Sequence, residues 1–521
     1  MIKIKKLPLV ALMIACLFSC SKLDENLNGQ LTEAEATRLL GAGTSGSADV
    51  TALLRGIYNG INEPYSNVNS MWALQQHTTD ETMGPTRGGD WDDGGVWRVL
   101  HSHKWDASHP YIANVYRNLL RTSFSVTDLL RFNPNAQQAA EARFLRALTS
   151  FTILEAWDQV PYREKTTDPN EVPKVRKGAE AMDFIIKELT EALPALPDNG
   201  PAFQATRNAA RALLMKCHLQ RGVIKNRQTP TFDKSDMDQV IKYADDITGT
   251  NKYSLTSSYF DNFAPTNDQL SKELIFTLAN RDPAAPGSNG TNGVQFIYHN
   301  TLHYNSPNPM GGWNGFTTLS DFYDKFNATD KRREASYPGL TDVTGLKVGF
   351  LIGQQFGPNN VALKDRKGNP LAFKREIKIL ETDPVAIEVN GIRVVKYVPD
   401  ISSDQFPTKH DWVLLRFADV LLMRAEALLR SGRAAEAVIP VNLVRARAGV
   451  TPMASVTLDQ LLDERGREFY WEGKRREDLI RFGKFLMPWQ EKEQSDPKRL
   501  LFPIPNRSLA ANPNLTQNPG Y

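Results

Sequence analysis

Over 412–449 the apolar residues recur at helical spacing. Phe417, Val420, Leu421, Ala425 and Leu428 fall on one face, while Arg416, Asp419, Met423, Glu426 and Arg430 fall on another. Leu414, Leu422 and Leu429 widen the apolar side, which predicts packed neighbours on more than one flank. Ser431-Gly432-Arg433 closes this helix, with Gly432 free to adopt the left-handed conformation of a helix end. A second helix is expected over about 434–448, stopping at Gly449, with Pro440 kinking it or resetting its start. Two short helices cannot bury both faces alone, so the pattern predicts similar pairs stacked on this one.

The same periodicity predicts helices over 50–61, 109–132, 136–157, 175–193, 206–221, 236–248, 458–471 and 474–482. Phe144, Ala147, Leu148, Phe151 and Leu154 mark the buried face of the third, and Asn133-Pro134 is the break before it. Ala209, Ala210 and Ala212 favour close helix approach. These pairs predict a mainly α, tetratricopeptide-like scaffold of degenerate repeat. From 251 to about 409 the pattern changes to short segments rich in Pro, Gly and Asn. A strand is expected over 273–278, and a hairpin over 387–395 with Asn390-Gly391 as its type I′ turn. The alternating charges Arg465, Arg467, Glu468, Glu472, Lys474, Arg475, Arg476, Glu477 and Asp478 read as a solvated, ion-paired face.

The organisation expected is therefore a signal peptide (1–19), a flexible tether (20–46) and one domain (47–521). That domain divides into a helical scaffold at about 47–250 and 411–490, an irregular ligand-side insert at about 251–410 and a tail at 491–521. The N-terminus supplies the first segment: basic Lys3, Lys5 and Lys6, an apolar run over 7–18, then Leu17-Phe18-Ser19-Cys20, which matches the bacterial lipoprotein cleavage box. Cys20 is the expected lipidation residue, anchoring the chain to a membrane surface. The net charge of +3 vanishes when those three lysines are set aside, leaving 59 basic against 59 acidic residues. That balance argues against a nucleic-acid partner. Cys217, alone in the body of the chain, reads as a buried apolar residue rather than half of a disulfide.

Chemistry concentrates in loops. Trp72, Trp91, Trp97 and Trp105 alternate with Asp80, Glu81, Arg87, Asp90, Asp92 and Asp93, broken by Gly84-Pro85, Gly88-Gly89 and Gly94-Gly95. Aromatic faces attract the C–H face of a pyranose, while carboxylates and guanidinium bond its hydroxyls. Trp97 and Trp105, spaced with His101 at four-residue intervals, read as core; Trp91 reads as the surface residue. Tyr298, Tyr304 and Trp313, the last beside Asn314 in a Gly-rich loop, form a second aromatic group expected to face Trp91 if the insert folds back. The candidate glycan-binding set is Trp91, Trp313, Tyr304, Trp72, Asp80, Arg87 and Asn314. His77, His101, His103 and His109 lack the spacing of a zinc motif, so no metal or other cofactor is expected.

Five stretches carry a resemblance to a known family. They are Glu141-Ala142-Arg143-Phe144-Leu145-Arg146-Ala147 leading to Val160-Pro161-Tyr162; residues 415–422 with Ala425-Glu426-Ala427; Val444-Arg445-Ala446-Arg447-Ala448-Gly449; Glu464-Arg465 through to Gly483; and Phe502-Pro503-Ile504-Pro505 with residues 512–521. In this order the chain resembles the SusD/RagB-like outer-membrane lipoproteins, partners of SusC-like TonB-dependent transporters. The resemblance implies an outer-membrane, lipid-anchored protein facing the cell exterior, and Asp24-Glu25 is similar to the family's surface-export signal. It implies a non-enzymatic protein that captures oligosaccharides and delivers them to the transporter. Two alternatives stand beside it: a peptide-binding protein of the RagB type, and a surface glycosidase drawing its acid and nucleophile from Asp80, Glu81, Asp90, Asp92 and Asp93.

Overall fold

The computed structural model describes residues 49–280, 293–307, 311–402 and 408–521. The expected lipidation residue Cys20, the signal peptide and the tether lie outside the described residues. No helix among the described residues is long and apolar enough to cross a membrane.

Local signals in the sequence set the helix boundaries. Helix α1 spans Val50–Gly60, and α2 spans Pro110–Leu129 with proline at its first position, where no backbone donor is needed. Helix α3, Ala136–Trp157, is opened by a capping box. Asn135 Oδ1 accepts from the Gln138 amide at 2.9 Å and Gln138 Oε1 accepts from the Asn135 amide at 3.1 Å. Asp158, with φ of 64°, closes it. Helices α4 (Gly178–Ala192), α5 (Arg207–Lys225) and α6 (Lys234–Thr248) follow, each packed against the one before. Ala209, Ala210 and Ala212 are buried in α5, and Gly222 lets the Thr231 carbonyl approach so closely that a Cβ there would overlap it.

After the insert, α7 (Phe417–Arg430) packs on α6 and on α8 (Ala434–Arg447), so the stack resumes where it was interrupted. This is the mainly α, tetratricopeptide-like scaffold. Gly432 takes φ of 74° between α7 and α8. Helix α8 runs through Pro440 as one element and its start is not reset. Helices α9 (Leu458–Phe469) and α10 (Arg475–Arg481) complete this side.

Strands are short. β1 (Gln159–Tyr162) and β2 (Lys174–Lys177) pair antiparallel before α4, so 175–177 is strand rather than helix. β3 (Leu274–Leu278) opens the insert, β4 (Val348–Leu351) and β5 (Arg393–Val395) pair within it, and β6 (Trp412–Arg416) closes it by pairing antiparallel with β3. The expected start of the helical pair at 412 is thus corrected: its first five residues form a strand. The expected hairpin over 387–395 is also absent. Ala386–Val389 is a helical turn and Asn390 has φ of −70°, whereas a type I′ turn needs positive φ at both central residues. The Arg393 guanidinium takes the Asn390 and Gly391 carbonyls instead, at 2.8 and 3.1 Å.

The largest departure concerns the alternating charges of α9 and α10. They are buried, not solvated: among them Glu468, Arg465, Arg475, Arg476 and Asp478 are all under 4% exposed. Arg416, at the junction of β6 and α7, donates to Glu472 at 2.8 and 2.9 Å, to Glu468 Oε1 at 2.6 Å and to Glu273 Oε2 at 3.0 Å. Arg447 from α8 joins Glu273 at 2.9 Å and also contacts Glu468. Arg332, from the insert, reaches Asp330, Glu464 at 2.8 Å and Glu468 at 3.0 Å. A second cluster links Asp419, Arg465, Lys474, Asp478, Arg481 and Glu426. The network joins scaffold and insert through charges that have no water to fall back on. Burial alone would raise the Glu464 carboxyl, but Arg332 and Arg467 overcome it and hold it at about 2. Arg481 and Arg430 do the same for Glu426, also at about 2.

Glu468→Gln removes one charge shared by three arginines and is expected to destabilise the fold by about 3–5 kcal/mol, since it strands buried cations. Glu180→Gln, in an ion pair whose carboxylate is 69% exposed, is expected to cost less than about 1 kcal/mol. Urea unfolding midpoints of the two variants check the contrast. Because Glu464 and Glu426 titrate lower in the folded chain than in the unfolded one, their contribution is complete above about pH 4.5. It is lost as pH falls toward 2. Melting temperature should therefore hold steady from pH 7 to 5 and drop steeply between pH 4 and 2.5, a profile calorimetry reads directly.

Candidate functional site

The glycine-broken loop before the short helix Val96–His101 carries Trp91 in an unusual conformation, with φ of 62°. A bulky residue adopts positive φ only when its surroundings fix it. Here the indole Nε1 donates to the Trp313 carbonyl at 2.9 Å and the ring packs on Phe316 at 5.0 Å between centroids. Gly315 permits this approach: a Cβ at that position would lie 2.4 Å from Trp91 Cε2. Trp313 is 39% exposed. Its ring centroid lies 5.6 Å from those of both His299 and Phe296, with interplanar angles of 29° and 32°. Tyr304 donates its hydroxyl to Asp90 Oδ2 at 3.0 Å, one residue before Trp91. Trp91, Trp313 and Tyr304 are thus brought together although the hydrogen bonds joining them bridge 222 and 214 positions of chain.

The remaining candidates are placed differently. Arg87 is buried, donating to the carbonyls of Gly315 at 3.1 Å, Ile387 at 2.9 Å and Asn390 at 3.1 Å. Burial pushes its guanidinium down to about 9. Asn314 is buried too, donating to Ile387 O at 2.9 Å and accepting from Arg393 at 2.7 Å. Both brace the loops behind the aromatic group instead of facing solvent. Trp72 is 2% exposed, with its indole bonded to Trp471 O at 3.0 Å, and belongs to the core with Trp97 and Trp105. Asp80 is held bidentate by Arg475 at 2.7 Å. Tyr298 is fully buried.

The acids suggested for glycosidase chemistry also have structural partners. Burial raises the Glu81 carboxyl to about 8, Asp92 pairs with Arg98, and Asp93 accepts the Trp97 indole proton at 2.8 Å. His77 is wedged among Trp72, Trp97 and Phe316, and burial lowers it to about 3. His101 and His103 meet the backbone carbonyls of Gln490 and Thr78 at 3.0 and 2.9 Å. No group of three or more metal-ligating side chains occurs among the described residues.

Three residues at the site escaped the sequence reading. The Arg366 guanidinium lies 3.8 Å from the centre of the Tyr304 ring, and its Nε donates to Glu388, which also takes His303. Arg366 lies in an ordinary polar turn, Asp365-Arg366-Lys367-Gly368, and no local signal distinguishes it.

Comparison with known proteins agrees with this architecture. Residues 385–521 match the model of the SusD family, and residues 38–219 match a model described as starch-binding, associating with the outer membrane. The starch-binding protein SusD of Bacteroides thetaiotaomicron is 29% identical over 422 residues, covering 74% of this chain and 73% of that protein. A SusD superfamily protein from Parabacteroides distasonis superposes with a TM-score of 0.71 at 19% identity, covering 91% of this chain and 98% of its own. The surface glycan-binding protein A from Bacteroides thetaiotaomicron, solved in complex with laminarihexaose, superposes at 0.68 with 18% identity, covering 90% and 98%. With a stacked helical scaffold, a clasped irregular insert and family matches at both ends of the described chain, this protein belongs to the SusD/RagB family.

Proposed function

We propose that this chain is a surface glycan-binding protein that captures oligosaccharides at Trp91, Trp313 and Tyr304 and delivers them to a TonB-dependent outer-membrane transporter. One observation carries the reading: two loops from distant parts of the chain are bonded so as to gather three aromatic side chains, with Trp313 leaving part of its ring in solvent. Flat aromatic rings edged by the Asp90 carboxylate and the Arg366 guanidinium suit the alternating C–H and hydroxyl surfaces of a sugar. The rigid bracing by Arg87, Asn314 and Gly315 means little ordering remains to be done when ligand arrives.

The relatives support the choice of cargo, since the SusD relative is named for starch and a structural neighbour was solved with laminarihexaose. Cys20 would hold the chain at the outer membrane through its lipid, leaving the site free to meet polymer outside and a SusC-like partner beneath. The chain acts as a binding protein and not as an enzyme, in keeping with the partnered state of its acids.

Full chain solubilised in detergent should be retarded in native gels cast with at least one soluble neutral polysaccharide. Trp313→Ala is expected to weaken binding about tenfold or more, the loss of one stacking face. Trp91→Ala, which also removes the bond to Trp313 O, should do so at least as strongly. Retention of full affinity by both variants, or binding of peptides in place of polysaccharides, would overturn the reading.

A further inference from the structure

We infer that Arg366 is the polar clamp of this site and fits it to neutral sugars bearing adjacent hydroxyls; the inference rests on the aromatic group being a glycan platform. Arg366 is held from three sides. Its guanidinium lies over one face of Tyr304 at 3.8 Å, within cation–π range. Its Nε donates to Glu388 Oε1 at 2.9 Å, and its backbone amide donates to Glu388 Oε2 at 3.0 Å. Glu388 is itself fixed, 2% exposed and bonded to His303 Nε2 at 3.0 Å.

The tautomer of His303 follows from its other nitrogen. Nδ1 accepts the Asn305 amide proton at 3.0 Å, so Nε2 carries the hydrogen given to Glu388. Burial lowers His303 to about 4, leaving the ring neutral near pH 7. Glu388 therefore keeps its negative charge for Arg366. With Nε and the main chain tied down, the side chain still exposes 46% of its surface. Its two terminal amines make no protein hydrogen bond among the described residues. A planar fork of free donors, fixed beside an aromatic face, matches two neighbouring hydroxyl oxygens of a sugar ring.

Proximity to the platform is structural. The Asn314 amide donates to the Leu302 carbonyl at 2.7 Å, which places the chain around Trp313 beside the chain leading into Tyr304. Charge then decides the class of sugar. The positive charge of Arg366 is already matched by Glu388, and the exposed Asp90 carboxylate caps the hydroxyl end of the same tyrosine. A uronate or sulfated residue would bring its anion toward Asp90 without an unmatched cation to receive it. A neutral hexose meets no such penalty.

The test is calorimetric titration of the detergent-solubilised full chain with laminarihexaose, maltoheptaose, cellohexaose, hexagalacturonate and an alginate hexasaccharide. Wild type should bind at least one neutral oligosaccharide with an affinity little changed between 50 and 500 mM salt. Arg366→Met and Arg366→Lys should each weaken it about tenfold with the melting temperature retained, because lysine keeps the charge but loses the planar fork. Unchanged affinity in both variants, with binding lost in Trp313→Ala, overturns the role of Arg366 and leaves the platform standing. Strongest binding to galacturonate or alginate, abolished by 500 mM salt, overturns the neutral class. Failure of wild type to bind any of the five overturns the clamp together with the platform.

Discussion

One buried guanidinium, Arg416, is shared by Glu273, Glu468 and Glu472, and scaffold and insert meet around it. Each of those glutamates answers to a further cation. Glu273 and Glu468 take Arg447 from α8, Glu468 takes Arg332 from the insert, and Glu472 takes Lys396 at 3.0 Å. Buried ion pairs add modestly to stability, because desolvation offsets most of the attraction. Their effect on uniqueness is larger. A docking of the insert that shifted these partners by one residue would leave several charges buried and unmatched, each costing several kcal/mol. The β3–β6 clasp fixes the same junction from the backbone side, with Arg416 at the end of β6 and Glu273 just before β3.

That fixed junction explains how a site made from loops can be rigid. Trp91 comes from the first part of the chain, Trp313 and Tyr304 from the insert, and they align only if the insert closes back over the scaffold in one register. Closer in, Arg87 and Arg393 thread three loops together through the carbonyls of Gly315, Ile387, Glu388, Asn390 and Gly391. Buried arginines bonded to main-chain carbonyls act here as crosslinks, and the positive φ of Trp91 is held by them and by Gly315. The proposed platform is thereby held in one arrangement by the protein's own contacts.

Much of this scaffold was legible in the sequence because helices advertise themselves locally. The Asn133-Pro134 break and the apolar spacing over 136–157 lead directly to α3. Trp313 was expected to face Trp91 only if the insert folds back over the scaffold, and the Trp91 indole does reach the Trp313 carbonyl. What failed did so where a tertiary partner outranked a local preference. Asn390-Gly391 reads as a hairpin turn, but Arg393 claims its carbonyls. The alternating charges of α9 and α10 read as a solvated face, because periodicity cannot reveal that arginines from β6, α8 and the insert wait on the other side. Trp72, Arg87 and Asn314 carry the right chemistry for a glycan but their neighbours bury them, and Arg366 gives no sign of itself until Tyr304 is placed beside it.

The most direct measurement is a crystal structure of the protein with a bound oligosaccharide from the neutral panel. A sugar ring is expected stacked on the outer face of Trp313, within van der Waals reach of Trp91 and Tyr304, with the loops behind it unmoved. Density for the sugar elsewhere on the molecule, or a Trp91–Trp313 contact that must open to admit it, would rule out a preformed platform at Trp313.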